Sequence, residues 1–177
     1  MTNNETKNNK VNNSAKVLIL DAVFTAILIF VDQLTKIMCT SLKDSGPVVL
    51  INNVLELHYL ENRGAAFGIL QGQRVIFLII SIVVLVIMSM VYIRIPAEKK
   101  YVSLNIIMDF ILAGALGNTI DRVMLGYVRD FIYFSLINFP IFNVADIYIT
   151  CSTIILLLMI LFVYKEEDLS FLKKNNK

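Results

Sequence analysis

Aspartates are the residues in this sequence best suited to chemistry, because they recur in short polar motifs between long apolar stretches. The aspartates that stand in such motifs are Asp32 in FVDQLTK, Asp121 in GNTIDR, Asp130 in GYVRDF and Asp146 in FNVAD. Two aspartates a few ångströms apart can share one proton, because like charges at that distance cannot both ionise. The ionised carboxylate can then take a proton from water while the other donates one to a leaving group. Such a pair predicts hydrolysis by acid–base catalysis.

The sequence offers little for other catalytic chemistries. Its single histidine, His58, excludes a His-Glu-x-x-His zinc site and a serine–histidine relay, and no Gly-x-Ser-x-Gly elbow occurs. Cys39 and Cys151 are predicted to be small packing residues rather than a disulfide or a nucleophile. We therefore expect no metal and no cofactor.

Amide and cationic residues accompany the aspartates at helical spacing, and each group also has a purely structural interpretation. Lys36 follows Asp32 by four positions, which could be an intrahelical ion pair. Asn118, Asp121 and Arg122 could cap a helix end, and Asn143 could cap the helix that begins near Asp146. In the functional interpretation, asparagine and arginine would hold a substrate carbonyl and stabilise a developing oxyanion.

Four apolar stretches must position these residues. The chain has 177 residues, of which 57% are hydrophobic and 17% charged, whereas soluble domains are about 45–50% apolar. Roughly 20 helical residues cross the hydrocarbon core of a bilayer. The predicted spans are about 17–38, 75–95, 101–120 and 145–164. The fold class is therefore an all-α integral membrane protein with four transmembrane helices.

The remaining segments are short. Residues 1–16 and 166–177 are predicted to be cytoplasmic tails, the first of them disordered, around a membrane domain at 17–165. The loop at 43–62 is predicted to be β-rich, with two strands around a turn at Asn52-Asn53.

Lysine and arginine in the loops predict the orientation. Ten lie on the side of both termini and six on the other side, so the positive-inside rule places both termini in the cytoplasm. The polar motifs then all fall at the outer leaflet, which favours one convergent site. Asp109, in the middle of the third span, has no assigned role.

Two other classes of protein also fit part of this pattern. A small transporter or channel could use membrane carboxylates as a proton relay, but it predicts carboxylates strung across the bilayer, and only Asp109 lies near its middle. A non-catalytic assembly factor would not need two close aspartates. A nucleic-acid partner is not expected, because the lysines do not form a basic face.

The motif series FVDQLTK, ENRGAAFGIL, AGALGNTIDRVMLGYVRDFIYF and FPIFNVADIYIT resembles that of the lipoprotein signal peptidases, or signal peptidase II. The resemblance covers roughly residues 17–165. It implies a four-helix membrane aspartic peptidase with an extracytoplasmic β-cradle, in the bacterial cell membrane. Such an enzyme cleaves a prolipoprotein just before its diacylglyceryl-modified cysteine. Its expected partners are these substrates and membrane lipid, and we expect a monomer.

The resemblance also implies roles for individual residues. Its catalytic pair falls on Asp130 and Asp146. The supporting positions are Asp32, Lys36, Asn62, Gly64, Asn118, Asp121, Arg122, Asn143 and Ala145. Arg129 departs from the family pattern, which usually has valine beside the catalytic aspartate, and it could alter the protonation of that residue. Ile147 and Tyr148 replace the small residues that commonly follow the second aspartate.

Overall fold

The computed structural model describes residues 3–64 and 74–172, with side chains from residue 15 in the first range and from residue 75 in the second. The described side chains do not include Ala65 and Ala66 of the ENRGAAFGIL motif, Arg74, or the tail lysines Lys7, Lys10, Lys173, Lys174 and Lys177. Gly64 lies inside the described range.

Four long helices form the body of the protein, as the hydropathy pattern predicts. Within the described residues, four helical stretches are long and apolar enough to cross a membrane. They lie in the first, third, fourth and fifth α-helices, and the second α-helix is short and follows the first. The bounds are α1 Asn3–Cys39, α2 Leu42–Ser45, α3 Arg74–Tyr92, α4 Val102–Met124 and α5 Val144–Phe162.

Helix α4 is the centre of the bundle and contacts each of the other three long helices. More than half of its most apolar window is buried, whereas none of the corresponding window of α3 is. The large exposed side chains of α3 are valine, isoleucine and methionine, such as Val75, Ile79 and Val83. An apolar exposed surface of this kind suits contact with lipid tails.

The N-terminal tail differs from its expected form. Helix α1 begins at Asn3, although residues 1–16 were predicted to be a disordered tail. Residues 3–16 contain no proline or glycine, so the helix of the first span can extend into them, since propagation costs far less than nucleation. After α5, the ring of Phe171 packs on Tyr101, with 5.5 Å between centroids. This part of the 166–177 tail therefore folds back because it carries apolar side chains.

A three-stranded antiparallel sheet lies at one end of the bundle. Its strands are β1 Val48–Ile51, β2 Leu55–Asn62 and β3 Val128–Tyr133, in the order β1-β2-β3. The predicted turn is present, and Asn53 has a φ of 57°, a conformation that asparagine tolerates. Strand β3 was not predicted from the sequence.

Strand β3 follows α4 almost directly, and this short connection matters for the site. Gly126 has a φ of 86°, which allows a sharp turn after the helix. In β3, Asp130 pairs in register with Leu60 of β2, and Val128 pairs with Asn62. The pairing partner lies far away in sequence, which explains why local patterning did not reveal the strand.

Candidate active site

A cluster of buried polar side chains lies where α1, the C-terminal end of α4, the start of α5 and strand β3 meet. Burying such groups is costly unless they are hydrogen-bonded. Those that are almost fully buried are Asp32, Lys36, Asn118, Asp121, Asp130 and Asn143. The helices and the sheet bring all of them, together with Asn62, Ala145 and Asp146, into one hydrogen-bonded network.

Asp32 and Lys36 form the part of the network contributed by α1. The Lys36 Nζ atom lies 2.9 Å from Asp32 Oδ2, and neither side chain is exposed. Lys36 also donates to Asn118 Oδ1 of α4 at 2.9 Å. The pair is therefore an interhelical element and not merely an ion pair along one helix.

The second oxygen of Asp32 connects α1 to α5. Its Oδ1 accepts the backbone N–H of Ala145 at 3.0 Å. That N–H is one of the donors at a helix start that lack a partner within the helix. Gly117 allows the close approach, because a Cβ at this position would collide with the Asp32 carboxylate. Ala145 thus takes part through its backbone.

Asn118 connects the buried lysine to Asp146. Its Oδ1 accepts from Lys36 and from Asn143 Nδ2, at 2.9 and 3.2 Å. Its Nδ2 donates to Asp146 Oδ1 at 2.8 Å. Because an ammonium group can only donate, Lys36 dictates which end of the Asn118 amide faces it.

Asn143 contacts both aspartates of the predicted pair. Its side chain and backbone form a capping box with Asp146, in which Asn143 N donates to Asp146 Oδ2 at 3.1 Å and Asp146 N donates to Asn143 Oδ1 at 3.0 Å. Its Nδ2 donates to Asp130 Oδ1 at 2.6 Å. The structural interpretation of these residues as a cap is therefore correct, and the cap also joins the two carboxyl groups.

Asp130 is held by amide donors on both oxygens. Asn62 Nδ2, at the end of β2, donates to Asp130 Oδ2 at 2.8 Å, and Asn62 Oδ1 accepts the backbone N–H of Gly64 at 3.0 Å. Burial, followed by the negative charge of Asp146, raises the pKa of Asp130 to about 7, against the opposing effect of the amide donors. This carboxyl group can hold a proton near neutral pH.

Asp121 binds Arg129, and its Oδ2 atom lies 3.9 Å from Lys36 Nζ. The Arg129 guanidinium donates to both oxygens of Asp121, at 2.7 and 3.1 Å, and to Gln33 Oε1 at 2.9 Å. Neighbouring side chains of a strand point to opposite faces, so Arg129 points away from the side on which Asp130 lies. Sequence reasoning did not select Gln33, although it directly follows Asp32 in FVDQLTK.

Other contacts are made by Arg122, His58 and Arg63. Arg122 stacks its guanidinium on the ring of Phe77 in α3, 5.6 Å from the centroid, and its side chain approaches the Asn118 carbonyl oxygen at 3.5 Å. His58 pairs with Glu56 on the sheet. Arg63 pairs with Glu61.

Asp109 is buried elsewhere in the bundle. Thr25 of α1 donates to its Oδ1 at 3.2 Å, and its Oδ2 has no hydrogen-bond partner among the residues that the structure describes. Nearby on α1, Asp21 accepts the hydroxyl of Tyr92 from α3 at 2.6 Å. These residues form a second polar group between α1, α3 and α4.

Fold and site together define a polytopic membrane protein with a buried carboxylate–amide site between its helices. The sequence profile of signal peptidase (SPase) II matches residues 24–162. The chain belongs to the signal peptidase II family.

Similar proteins agree with this assignment. A lipoprotein signal peptidase of Caldanaerobacter subterraneus subsp. tengcongensis is 42% identical over 142 residues, which are 79% of this chain and 94% of that protein. One of Streptococcus pneumoniae is 44% identical over 147 residues, 82% of this chain and 93% of the other. A solved structure described as a bacterial membrane enzyme aligns with a TM-score of 0.70 at 29% identity, covering 89% of this chain and 94% of that one.

The family establishes the general activity. Its members are multi-pass bacterial membrane peptidases that remove signal peptides from prolipoproteins, and the four apolar helices of this chain suit that setting. The substrates of this chain are therefore prolipoproteins.

Proposed function

We propose that the chain is an aspartic endopeptidase in which Asp130 and Asp146 activate water, and that it cleaves just before the diacylglyceryl-modified cysteine of a prolipoprotein. The observation that carries the proposal is the double contact of Asn143. It donates to Asp130 through its side chain and to Asp146 through its backbone. Two carboxyl groups tied to one residue can share one proton.

The reaction follows from one proton shared by the pair. The ionised carboxylate takes a proton from water, whose oxygen attacks the scissile carbonyl carbon while the other carboxyl group protonates the carbonyl oxygen. The tetrahedral intermediate then collapses. The C–N bond breaks as the former carbonyl oxygen returns its proton to the carboxylate that supplied it, and the nitrogen that leaves receives the proton taken from water.

Neighbouring donors support this chemistry by restricting both carboxyl groups. Asp130 is restricted by the Asn62 and Asn143 amides. Asp146 is restricted by Asn118 Nδ2 and by the Asn143 backbone. Such preorganised groups lower the barrier because they need not reorient during the reaction. Arg122, one turn after Asn118, is assigned to substrate contact.

The membrane setting of the proposal combines the charge bias with the architecture. We place both termini in the cytoplasm, the membrane domain at residues 17–165 and the site at the outer leaflet. A prolipoprotein with an apolar signal helix and two acyl chains would reach the site by lateral diffusion. We expect a monomer to be active, because contacts within a single chain already join both aspartates to their supporting residues.

The test is cleavage by the purified chain in detergent. The substrate is a synthetic prolipoprotein peptide with a diacylglyceryl-modified cysteine, and the matched control is the same peptide with an unmodified cysteine. We expect release of the signal peptide from the modified substrate only, with the cysteine as the new N-terminus by mass spectrometry. Cleavage at another bond, or equal cleavage of both peptides, would contradict the proposal.

A further inference from the structure

Both the guanidinium and the backbone N–H of Arg129 donate to oxygen acceptors. Its guanidinium donates to Asp121 Oδ1 at 2.7 Å, to Asp121 Oδ2 at 3.1 Å and to Gln33 Oε1 at 2.9 Å, and only 12% of the side chain is exposed. Its backbone N–H donates to Asp121 Oδ2 at 3.0 Å. This is a bidentate arginine–carboxylate pair, the strongest form of such contacts.

The Arg129–Asp121 pair determines which carboxylate Lys36 binds. The Lys36 Nζ atom lies 2.9 Å from Asp32 Oδ2 but 3.9 Å from Asp121 Oδ2, and all three side chains are fully buried. One lysine cannot compensate two buried carboxylates, and an unpaired buried charge costs several kcal/mol. Arg129 supplies the second positive charge, so Lys36 can stay on Asp32.

The placement of Lys36 affects Asp146 through a single amide. Lys36 donates to Asn118 Oδ1 at 2.9 Å, and Asn118 Nδ2 donates to Asp146 Oδ1 at 2.8 Å. The amide group is planar, so whatever holds its oxygen also aims its nitrogen. A lysine that moved towards Asp121 would release that oxygen.

We propose that Arg129 is a positioning residue for the peptidase reaction. By neutralising Asp121 it keeps Lys36 on Asp32 and Asn118, and so keeps the Asn118 amide directed at Asp146. Gln33 assists by holding the guanidinium from α1. The inference rests on the proposed function, since it takes Asp146 to be a reacting group.

The other charged or titratable groups around Arg129 do not replace this arrangement. Helix α1 presents Asp32 beside Gln33, and α4 presents Asp121. On β2, Glu61 is in register with Arg129, but its carboxylate binds Lys43 and Arg63. Tyr59 of β2 also faces the guanidinium, and burial raises the pKa of its hydroxyl, which keeps it neutral. Asp121 is therefore the carboxylate that needs Arg129.

The first test compares Arg129→Met, which keeps the length of the side chain, with the parent protein. We expect kcat to fall by about 10- to 100-fold with KM little changed, because a small misplacement near the reacting groups is costly. The acidic limb of the kcat profile should move to higher pH, since positive charge near the pair is lost. Arg129→Lys should be intermediate. Arg94→Met, at an exposed arginine outside the network, is the control for net charge.

The second test adds Asp121→Asn to Arg129→Met. Asparagine still offers an oxygen to the backbone N–H of residue 129 but carries no charge that could attract Lys36. We expect the double variant to recover to within about 3-fold of the parent kcat, a gap of less than 1 kcal/mol in barrier. A residue that only tied β3 to α4 would give a double variant no faster than Arg129→Met.

The outcomes are separable. If the parent chain does not cleave the lipid-modified substrate, the proposed function fails first. If the parent cleaves and Arg129→Met has the same kcat and pH profile, the role of Arg129 is wrong. The double variant leaves no uncompensated buried carboxylate, so it decides the question even where Arg129→Met does not insert: low activity of the folded double variant overturns the inference.

Discussion

The Nδ2 atom of Asn143 lies 2.6 Å from Asp130 Oδ1. This contact joins the start of α5 to strand β3, and it belongs to the residue that also caps α5 in front of Asp146. Capping and contact with Asp130 are performed by different atoms of Asn143, so they can be separated by substitution.

Asn143→Ser and Asn143→Ala distinguish the two roles. Serine keeps an oxygen that can cap the helix, whereas alanine does not, and neither can donate to Asp130 as asparagine does. We expect both variants to lose about 10²–10³-fold in kcat. Only the alanine variant should also lose about 1 kcal/mol of stability, measured as a lower Tm in detergent. Near-normal cleavage by Asn143→Ser would show that the contact with Asp130 is dispensable.

The raised pKa of Asp130 predicts a pH-dependent contribution to stability. Burial and the charge of Asp146 raise this pKa to about 7, above its value in the unfolded chain. The folded state therefore binds the proton more tightly, and the contribution, fully present below pH 4, is lost as the pH rises towards 7.

Asp130→Asn removes this dependence. The free energy of unfolding of the variant, relative to that of the parent, should rise progressively between pH 4 and pH 8, by at most about 1.4 kcal/mol per pH unit. Its Tm relative to the parent should rise with it. Thermal unfolding of both proteins in the same detergent across this range provides the measurement. A Tm difference that does not vary with pH would mean that Asp130 titrates as an ordinary exposed aspartate.

Asp109 lies in a separate polar group with Thr25, so we expect it to take no part in cleavage. Asp109→Asn should keep kcat and KM within about 2-fold of the parent, which is less than 0.5 kcal/mol in barrier. The assay is release of the signal peptide from the lipid-modified substrate. A loss comparable to that expected for Asp130→Asn would extend the site across the bundle.

The sequence was sufficient for much of the architecture. The four spans were confirmed because a long apolar run has few alternatives to a helix in a membrane. The hairpin around Asn53 was also visible, since its turn chemistry and alternation are local. Strand β3 was missed because its identity depends on β2, far away along the chain.

Some of the site residues could be predicted from the sequence, and the contacts of others could not. Asp32, Lys36 and Asn118 were chosen from helical spacing and the motif resemblance, and the structure brings them together. The interhelical contacts of Gln33 could not be derived, because glutamine next to aspartate has no distinctive spacing. The contact between Arg129 and Asp121 could not be predicted either, because the direction of the Arg129 side chain depends on which face of β3 is turned towards α4.

The orientation remains a prediction with a direct test. Because ten lysines and arginines lie on one side and six on the other, a reporter fused after Tyr164 should behave as cytoplasmic. A cysteine introduced at Asn52 should react with a membrane-impermeant reagent in intact cells. The opposite labelling pattern would move the site to the inner leaflet.

The central claim is that Asp130 and Asp146 share the catalytic work. Asparagine can neither take a proton from water nor donate an acidic one, yet it preserves the size of the side chain. The matched control is Asp109→Asn, another substitution of a buried aspartate by its amide.

The most direct measurement is the single-turnover cleavage rate of Asp130→Asn and of Asp146→Asn on the diacylglyceryl-modified prolipoprotein, for protein that inserts and unfolds like the parent. We expect each substitution to abolish cleavage, with or without EDTA, while Asp109→Asn remains active. Robust cleavage by either site variant, or parent activity that is lost in EDTA and restored by a divalent ion, would contradict the account.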